Sequence, residues 1–365
     1  MQRTSAWPLA LTCIGLIVYA SLYPFGDWRD QGLSPLAFLW SPLPRYWTGF
    51  DVAANLLGYL PLGFLLALTA LRTGRGMHCV SRSTLVCLVL SLTMESLQGY
   101  LPTRVPSNVD LALNVSGGYV GAVVASALES IGALDRWSRL RARWFVADAS
   151  GALVLLALWP MALLFPAAVP FGLGQVVERL EATVVELLGD SPFLEWLPLR
   201  EVELQPLVPA AEVACVVLGL LIPCLLGYCI IRSRLRRVAF SSAIVLTGIV
   251  ATSLSAALSY SPQHAWVWLT RPVLAGVLAA PLLALALAPL SRRSCAAVAL
   301  LLMGMYLAML NQAPVDPYFA QTLQSWEQGR FIRFNGLAQW LGWLWPYATL
   351  IYLFTQMRDA SGTAS

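Results

Sequence analysis

The chain contains no lysine; all 23 of its basic residues are arginine. Charge of either sign is scarce, at 12% of the residues, roughly half the share in a soluble domain. Histidine occurs only at His78 and His264, far apart in sequence, so the paired-imidazole patterns of metal and acid–base sites are missing. The seven cysteines show no metal-ligand spacing. Cys224 and Cys229, for instance, stand five apart inside an apolar run, and read as buried thiols. No phosphate-cradling glycine loop and no nucleophile–base arrangement is visible. These absences leave no cofactor expected and no reaction legible.

What is abundant is apolar surface. Hydrophobic residues make up 58% of the chain, more than a soluble core absorbs. The class expected is an all-α, polytopic integral membrane helix bundle. A helix needs about 20 residues to cross the hydrocarbon core. On that ruler ten segments qualify: 7–24, 50–71, 83–100, 110–131, 146–166, 211–231, 238–258, 272–290, 295–311 and 337–355. The first also carries Arg3 and a Val18-Tyr19-Ala20 signature that resembles a signal-peptide cleavage site. Its apolar run continues to Phe25, which favours an uncleaved helix. The organisation expected is a four-helix membrane domain over 1–144 and a six-helix domain over 145–365.

The arginines set the orientation. Arg72, Arg75 and Arg82 follow the second segment, and Arg136, Arg139, Arg141 and Arg143 the fourth. Arg232, Arg234, Arg236 and Arg237 follow the sixth, and Arg292 and Arg293 the eighth. These connections alternate, so one side holds them all, together with Arg3 and Arg358. That side is expected to be cytoplasmic, with both termini inside, in a multi-pass protein of a bacterial inner membrane. The positive charge is therefore a topology signal, and no nucleic-acid partner is expected. The opposite connections differ. Residues 25–49 are rich in Trp and Pro, which suits the membrane interface. Residues 167–210 form a large acidic outer loop. Within it Val177, Leu180, Val184, Leu187 and Leu188 fall on one face of an amphipathic helix.

Polar residues inside apolar segments are the candidates for function. Asp51 and Asn55 lie one turn apart at the outer end of the second segment. Glu95 and Gln98 lie near the outer end of the third, Arg104 in the short loop after it, and Asp110 and Asn114 at the start of the fourth. The three helix-end pairs are thereby delivered to one depth, in the outer leaflet, with Arg104 in the loop beside them. Asp51 and Asp110 are also expected as helix N-caps, and Arg104 as the ion-pair partner of Glu95, either as a structural latch or as part of a site. Gly117, Gly121 and Ala125 repeat at four-residue spacing, which favours close helix packing. Pro61, with Gly58 and Gly63, is expected to kink its helix.

In order, these motifs resemble a known family. Asp51-x-x-x-Asn55 runs on to Gly58, Pro61 and Gly63. Then come Ser91-x-x-x-Glu95-x-x-Gln98, Leu101-Pro102-x-Arg104, and Asp110-x-x-x-Asn114 with Gly117, Gly118 and Gly121. The pattern resembles the VanZ-like bacterial membrane proteins, over about residues 20–131. The chain departs from the family pattern before Asp110, where an acidic residue is common and Ser107 and Asn108 stand here. The resemblance implies a cell-envelope role, and a link to resistance to the glycopeptide teicoplanin.

In the second half one group stands out. Trp326, Arg330 and Arg333 precede the last segment on the outer side and form a second candidate site for an anionic group. The function expected is binding of a lipid-linked or amphipathic molecule at the outer leaflet, without catalysis. The partners expected are membrane lipids and a lipid-linked cell-wall precursor or glycopeptide. Two alternatives stand beside it. One is an enzyme acting on a lipid-linked phosphate, with Asp51, Glu95 and Asp110 around a divalent cation; the other is a transporter.

Overall fold

A computed structural model describes residues 6–23, 25–32, 34–43, 49–74, 76–165, 167–189, 191, 204–260, 262–314 and 332–362. Among the described residues the regular structure is helical throughout. The one extended pairing is an isolated bridge between Phe145 and Ile231. The chain divides into two compact units, Met1–Arg143 and Trp144–Ser365.

The first unit holds α1 (Ala6–Leu22), α2 (Gly49–Arg72), α3 (Cys79–Gln98), α4 (Asn108–Ser130) and most of α5 (Ala133–Trp144). α2 runs unbroken through Pro61. It packs most closely against α4, because glycines remove the side chains between them. A methyl group at Gly117 or Gly121 would overlap the carbonyl of Leu56 or Leu60, and one at Gly63 would overlap Gly118. The small-residue row thus serves packing inside the unit, with Ala125 buried on the same row. α1 closes the unit from the other side. Its Ala10, Ile17 and Leu22 pack with Tyr59 and Leu62 of α2 and Cys87 and Met94 of α3.

The second unit holds α6 (Ser150–Ala162), α7 (Val177–Leu188), α8 (Pro209–Ile230), α9 (Arg234–Tyr260), α10 (Arg271–Leu287), α11 (Arg292–Leu310) and α12 (Ile332–Gly362). α8 is its centre. It is apolar on every side from Cys215 to Ile230 and buried along that whole length, as expected of a helix with no polar face. α6, α9, α10 and α11 surround it, and α12 packs on α6 and α11. Thr270 and Ser291 start α10 and α11 as N-caps, each accepting a backbone N–H on its hydroxyl.

A helix occupies each of the ten apolar segments read from the sequence. Among the described residues six helices (α2, α3, α4, α8, α9 and α11) are long and apolar enough to cross a membrane, and α1, α6 and α10 are shorter apolar helices. Several such helices in one chain mark a multi-pass membrane protein.

The connection expected as an outer loop over 167–210 behaves differently in its first part. Val169, Phe171 and Leu173 are buried. Residues 167–174 carry no charge, so they fold into the unit instead of out of it; the acidic residues begin only at Glu178. Asp190 and residues 192–203, which hold Glu195, Glu201 and Glu203, lie outside the described residues. Coiled backbone inside an apolar bundle must find polar partners. Tyr306 donates to the Phe171 carbonyl (2.6 Å) and accepts the Leu173 N–H (2.5 Å). Asn311 accepts the N–H groups of Val176 and Val177 (3.1 Å each) and donates to the Gly174 carbonyl (3.2 Å). Phe171 and Gly174 both have positive φ (63° and 91°), the conformation that turns the coil back. Replacing Tyr306 by Phe leaves a buried N–H and C=O unmet, at about 1–3 kcal/mol for each group. Hydrogen exchange of the full-length variant is expected to speed up at Leu173 while α8 keeps its protection; unchanged exchange at Leu173 would contradict the role given to Tyr306.

Candidate functional site

Three hydrogen bonds gather polar residues at one end of α2, α3 and α4. Asn55 of α2 donates to the Asp110 carboxylate of α4 (2.8 Å). Asn114, one turn further along α4, donates to the Ser91 hydroxyl of α3 (3.0 Å). Glu95, one turn beyond Ser91, accepts the backbone N–H of Ser107 (2.8 Å). Glu95 and Asn114 are buried, with 4% and 6% of their surface exposed, and Ser91 is fully buried. A carboxylate so enclosed is costly unless hydrogen-bonded.

Ser107 organises this end. It is the N-cap of α4, and its hydroxyl accepts the N–H groups of Val109 and Asp110 (3.2 and 3.3 Å). Its own N–H reaches Glu95. Asp110 is therefore not the cap expected of it. It sits in the first turn of α4, where its carboxylate accepts from Asn55 of α2. Asp51 lies in the first turn of α2, whose described residues start at Gly49.

The ion pair expected between Glu95 and Arg104 is not formed. Arg104 is buried (8% exposed) and donates to the carbonyls of Tyr23 (2.5 Å) and Ala20 (3.3 Å), at the end of α1. The physical reason lies in the loop. Leu101 is fully buried and accepts the Arg104 N–H (2.9 Å), which turns the guanidinium toward α1. The end of the loop meanwhile brings Ser107, not Arg104, to the carboxylate. Gln98 also leaves the cluster and donates to the Ser21 carbonyl (2.9 Å). The seven candidates therefore divide. Asn55, Glu95, Asp110 and Asn114 converge between α2, α3 and α4. Gln98 and Arg104 tie down the carbonyl end of α1, where orphan acceptors need donors. Asp51 stands one turn before Asn55 on α2, half-buried.

Two residues of the cluster, Tyr59 and Ser91, were not among the seven candidates, Ser91 entering only within the motif that leads to Glu95. Tyr59 is buried, and its hydroxyl faces Ser91 without a well-formed hydrogen bond; the Asn114 carbonyl oxygen also has no partner among the described residues. The signal for both was present. Asn55 and Tyr59, Ser91 and Glu95, and Asp110 and Asn114 are three pairs at four-residue spacing, so each pair shares a helix face.

Of the interface segment expected over 25–49, residues 25–32 and 34–43 lie across this end of the unit. The Arg29 N–H donates to the Tyr100 carbonyl (3.0 Å), Gln31 to Gly99 (2.8 Å), and Asn108 to Ser41 (2.7 Å). Within the segment Phe38 is buried, while Trp40 is 80% exposed, as an interfacial anchor would be.

Residues 6–129 match the VanZ/LLP1 family model. The VanZ-like domain so defined contains every residue of the polar cluster. Neither curated proteins nor solved structures gave a match to the chain. Among the described residues no three His, Cys, Asp or Glu side chains are grouped to hold a metal ion. Asp51, Glu95 and Asp110 accordingly do not form the three-carboxylate cation site considered above, because Asp110 is turned to Asn55 and Glu95 to Ser107. Of the second candidate site, Trp326 and Arg330 lie outside the described residues, and of Arg333 only its place in the first turn of α12 is described.

Proposed function

We propose that the VanZ-like domain binds the polar head of an amphipathic, lipid-linked molecule of the cell envelope, at the outer leaflet of a bacterial inner membrane. The observation that carries this reading is the buried cluster itself. It holds a carboxylate, a tyrosine hydroxyl and an amide oxygen between apolar helices. The last two have hydrogen-bonding capacity that the described residues do not use. Purely structural polar contacts would be expected to satisfy one another. The outward surfaces of α3 and α4, where Val86, Val89, Val120 and Val124 are exposed, suit an acyl or prenyl chain lying alongside. The arginine-rich connections lie at the other ends of these helices, which supports placing the cluster outside. Ten crossings with both termini in the cytoplasm are consistent with that arrangement.

Glu95→Gln separates binding from scaffolding. The amide oxygen of glutamine still accepts the Ser107 N–H, so the fold is expected to persist. The charge is lost, and a charge-assisted hydrogen bond to a ligand is worth about tenfold or more in affinity. Full-length protein and variant, purified from the same membranes in mild detergent, are compared by mass spectrometry of co-purified lipids. A lipid-linked species enriched with the wild type and reduced about tenfold with Glu95→Gln is expected, and teicoplanin susceptibility of the host should change in parallel. Equal recovery of every lipid by both proteins would sink the reading.

A further inference from the structure

The connection after α4, which reads as a basic loop in the sequence, is a helix. α5 runs from Ala133 to Trp144. Ala133, Trp137, Leu140 and Trp144 recur at spacings of three and four and share one face. Arg136, Arg139 and Arg143 recur in the same way on a flank of that face. Trp137 and Leu140 are exposed, at 58% and 46%, and so is Ile131 just before the helix. A helix of twelve residues is marginal in water on its own, so this one needs a surface to lie on. Its start is held by an ion pair from Asp135 to Arg72 (3.4 Å), at the end of α2. That places it beside the end of a candidate span, at the level where lipid head groups begin.

We propose that α5 lies in the head-group plane of the bilayer and binds anionic phospholipid. The chemistry fits that one partner. Trp137 and Leu140 supply the apolar wedge, and indole rings favour this depth. Arg136, Arg139 and Arg143 supply guanidinium groups that pair with lipid phosphates. α7 offers a comparison within the chain. It is also amphipathic, with Leu180 and Leu187 exposed, but it carries Glu178, Glu181 and Glu186 where α5 carries arginines. It has the wrong sign for an anionic surface.

The test is hydrogen exchange of the full-length protein in nanodiscs of phosphatidylcholine alone or with phosphatidylglycerol. In wild type, α5 amides are expected to exchange about tenfold more slowly when phosphatidylglycerol is present, while α7 shows no such difference. In R136Q/R139Q/R143Q the slowing is lost; in W137S/L140S α5 exchanges fast in both lipids. Protection of α2 and α4 in each variant reports that the domain is folded. Equal α5 exchange in the two lipids, equal slowing of α5 and α7, or slowing that survives the triple arginine substitution would each overturn the proposal.

Discussion

Replacing Arg237 by methionine is expected to lower the thermal midpoint of the detergent-solubilised protein by roughly 10 °C. The side chain is buried (5% exposed) and its guanidinium is shared between two helix ends. Nη1 donates to the carbonyls of Ala288 (2.9 Å) and Leu290 (2.6 Å), Nη2 to Tyr228 (2.8 Å), and Nε to Ile231 (3.3 Å). The cation also lies over the Tyr228 ring, 5.3 Å from its centroid. These carbonyls belong to the ends of α8 and α10, where no intrahelical N–H is available. Methionine fills much of the volume but leaves four acceptors without their donor, at about 1 kcal/mol or more each. Lysine restores the charge but not the planar fork. If geometry dominates, Arg237→Lys melts near Arg237→Met; if the charge alone stabilises the helix ends, it melts near wild type. A methionine variant within about 2 °C of wild type would remove the structural role altogether.

Arg237 shows where sequence reading stops. Among Arg232, Arg234, Arg236 and Arg237 nothing in residue type distinguishes the buried one, and all four served as topology signals. The periodicity does distinguish it, since Arg237, Ser241 and Ile244 lie on one face of α9 and all are buried. A polar residue on a buried face is detectable only once that face is known. α5 was hidden in the same way, because four arginines in a short connection mask four apolar residues at helical spacing. The coil at 167–174 was hidden for the opposite reason. It is apolar and short, and its backbone is met by residues far away in sequence, Tyr306 and Asn311 among them.

The apolar segments were legible because about 20 apolar residues have few other uses. The grouping of Asn55, Glu95, Asp110 and Asn114 was legible because helix ends and spacing fix which residues share a depth. Arg104 was not. Its place is decided by the turn at Leu101, a local geometry that opposite charges on paper do not reveal. Ser107 gained its role from the same turn. Where the family pattern favours an acid, this chain has a hydroxyl that caps α4 and a backbone N–H that holds Glu95.

Alanine at Gly121 is expected to destabilise the VanZ-like domain by about 3 kcal/mol, at the upper end of overpacking effects. The new methyl meets backbone: it overlaps the Leu60 carbonyl oxygen and lies 2.9 Å from the Phe64 nitrogen. Neither atom can rotate away, so α4 must move off α2. That motion also pulls Asp110 from Asn55, and the ligand binding proposed for the cluster should fall with stability. Gly58, on α2 with nothing within 4 Å of an added methyl, is the control. There alanine removes only the flexibility of glycine and should leave stability unchanged or raise it by up to about 1 kcal/mol. Thermal unfolding of the full-length variants in one detergent gives the comparison, and equal midpoints for the two would contradict the packing described. The double variant Gly117→Ala/Gly121→Ala carries the argument further. Gly117 meets the Leu56 carbonyl on the same seam, so one separation of the helices relieves both overlaps. The two losses should then fall well short of adding. Full additivity would mean that each site adjusts locally, and that α2 and α4 do not move as rigid bodies.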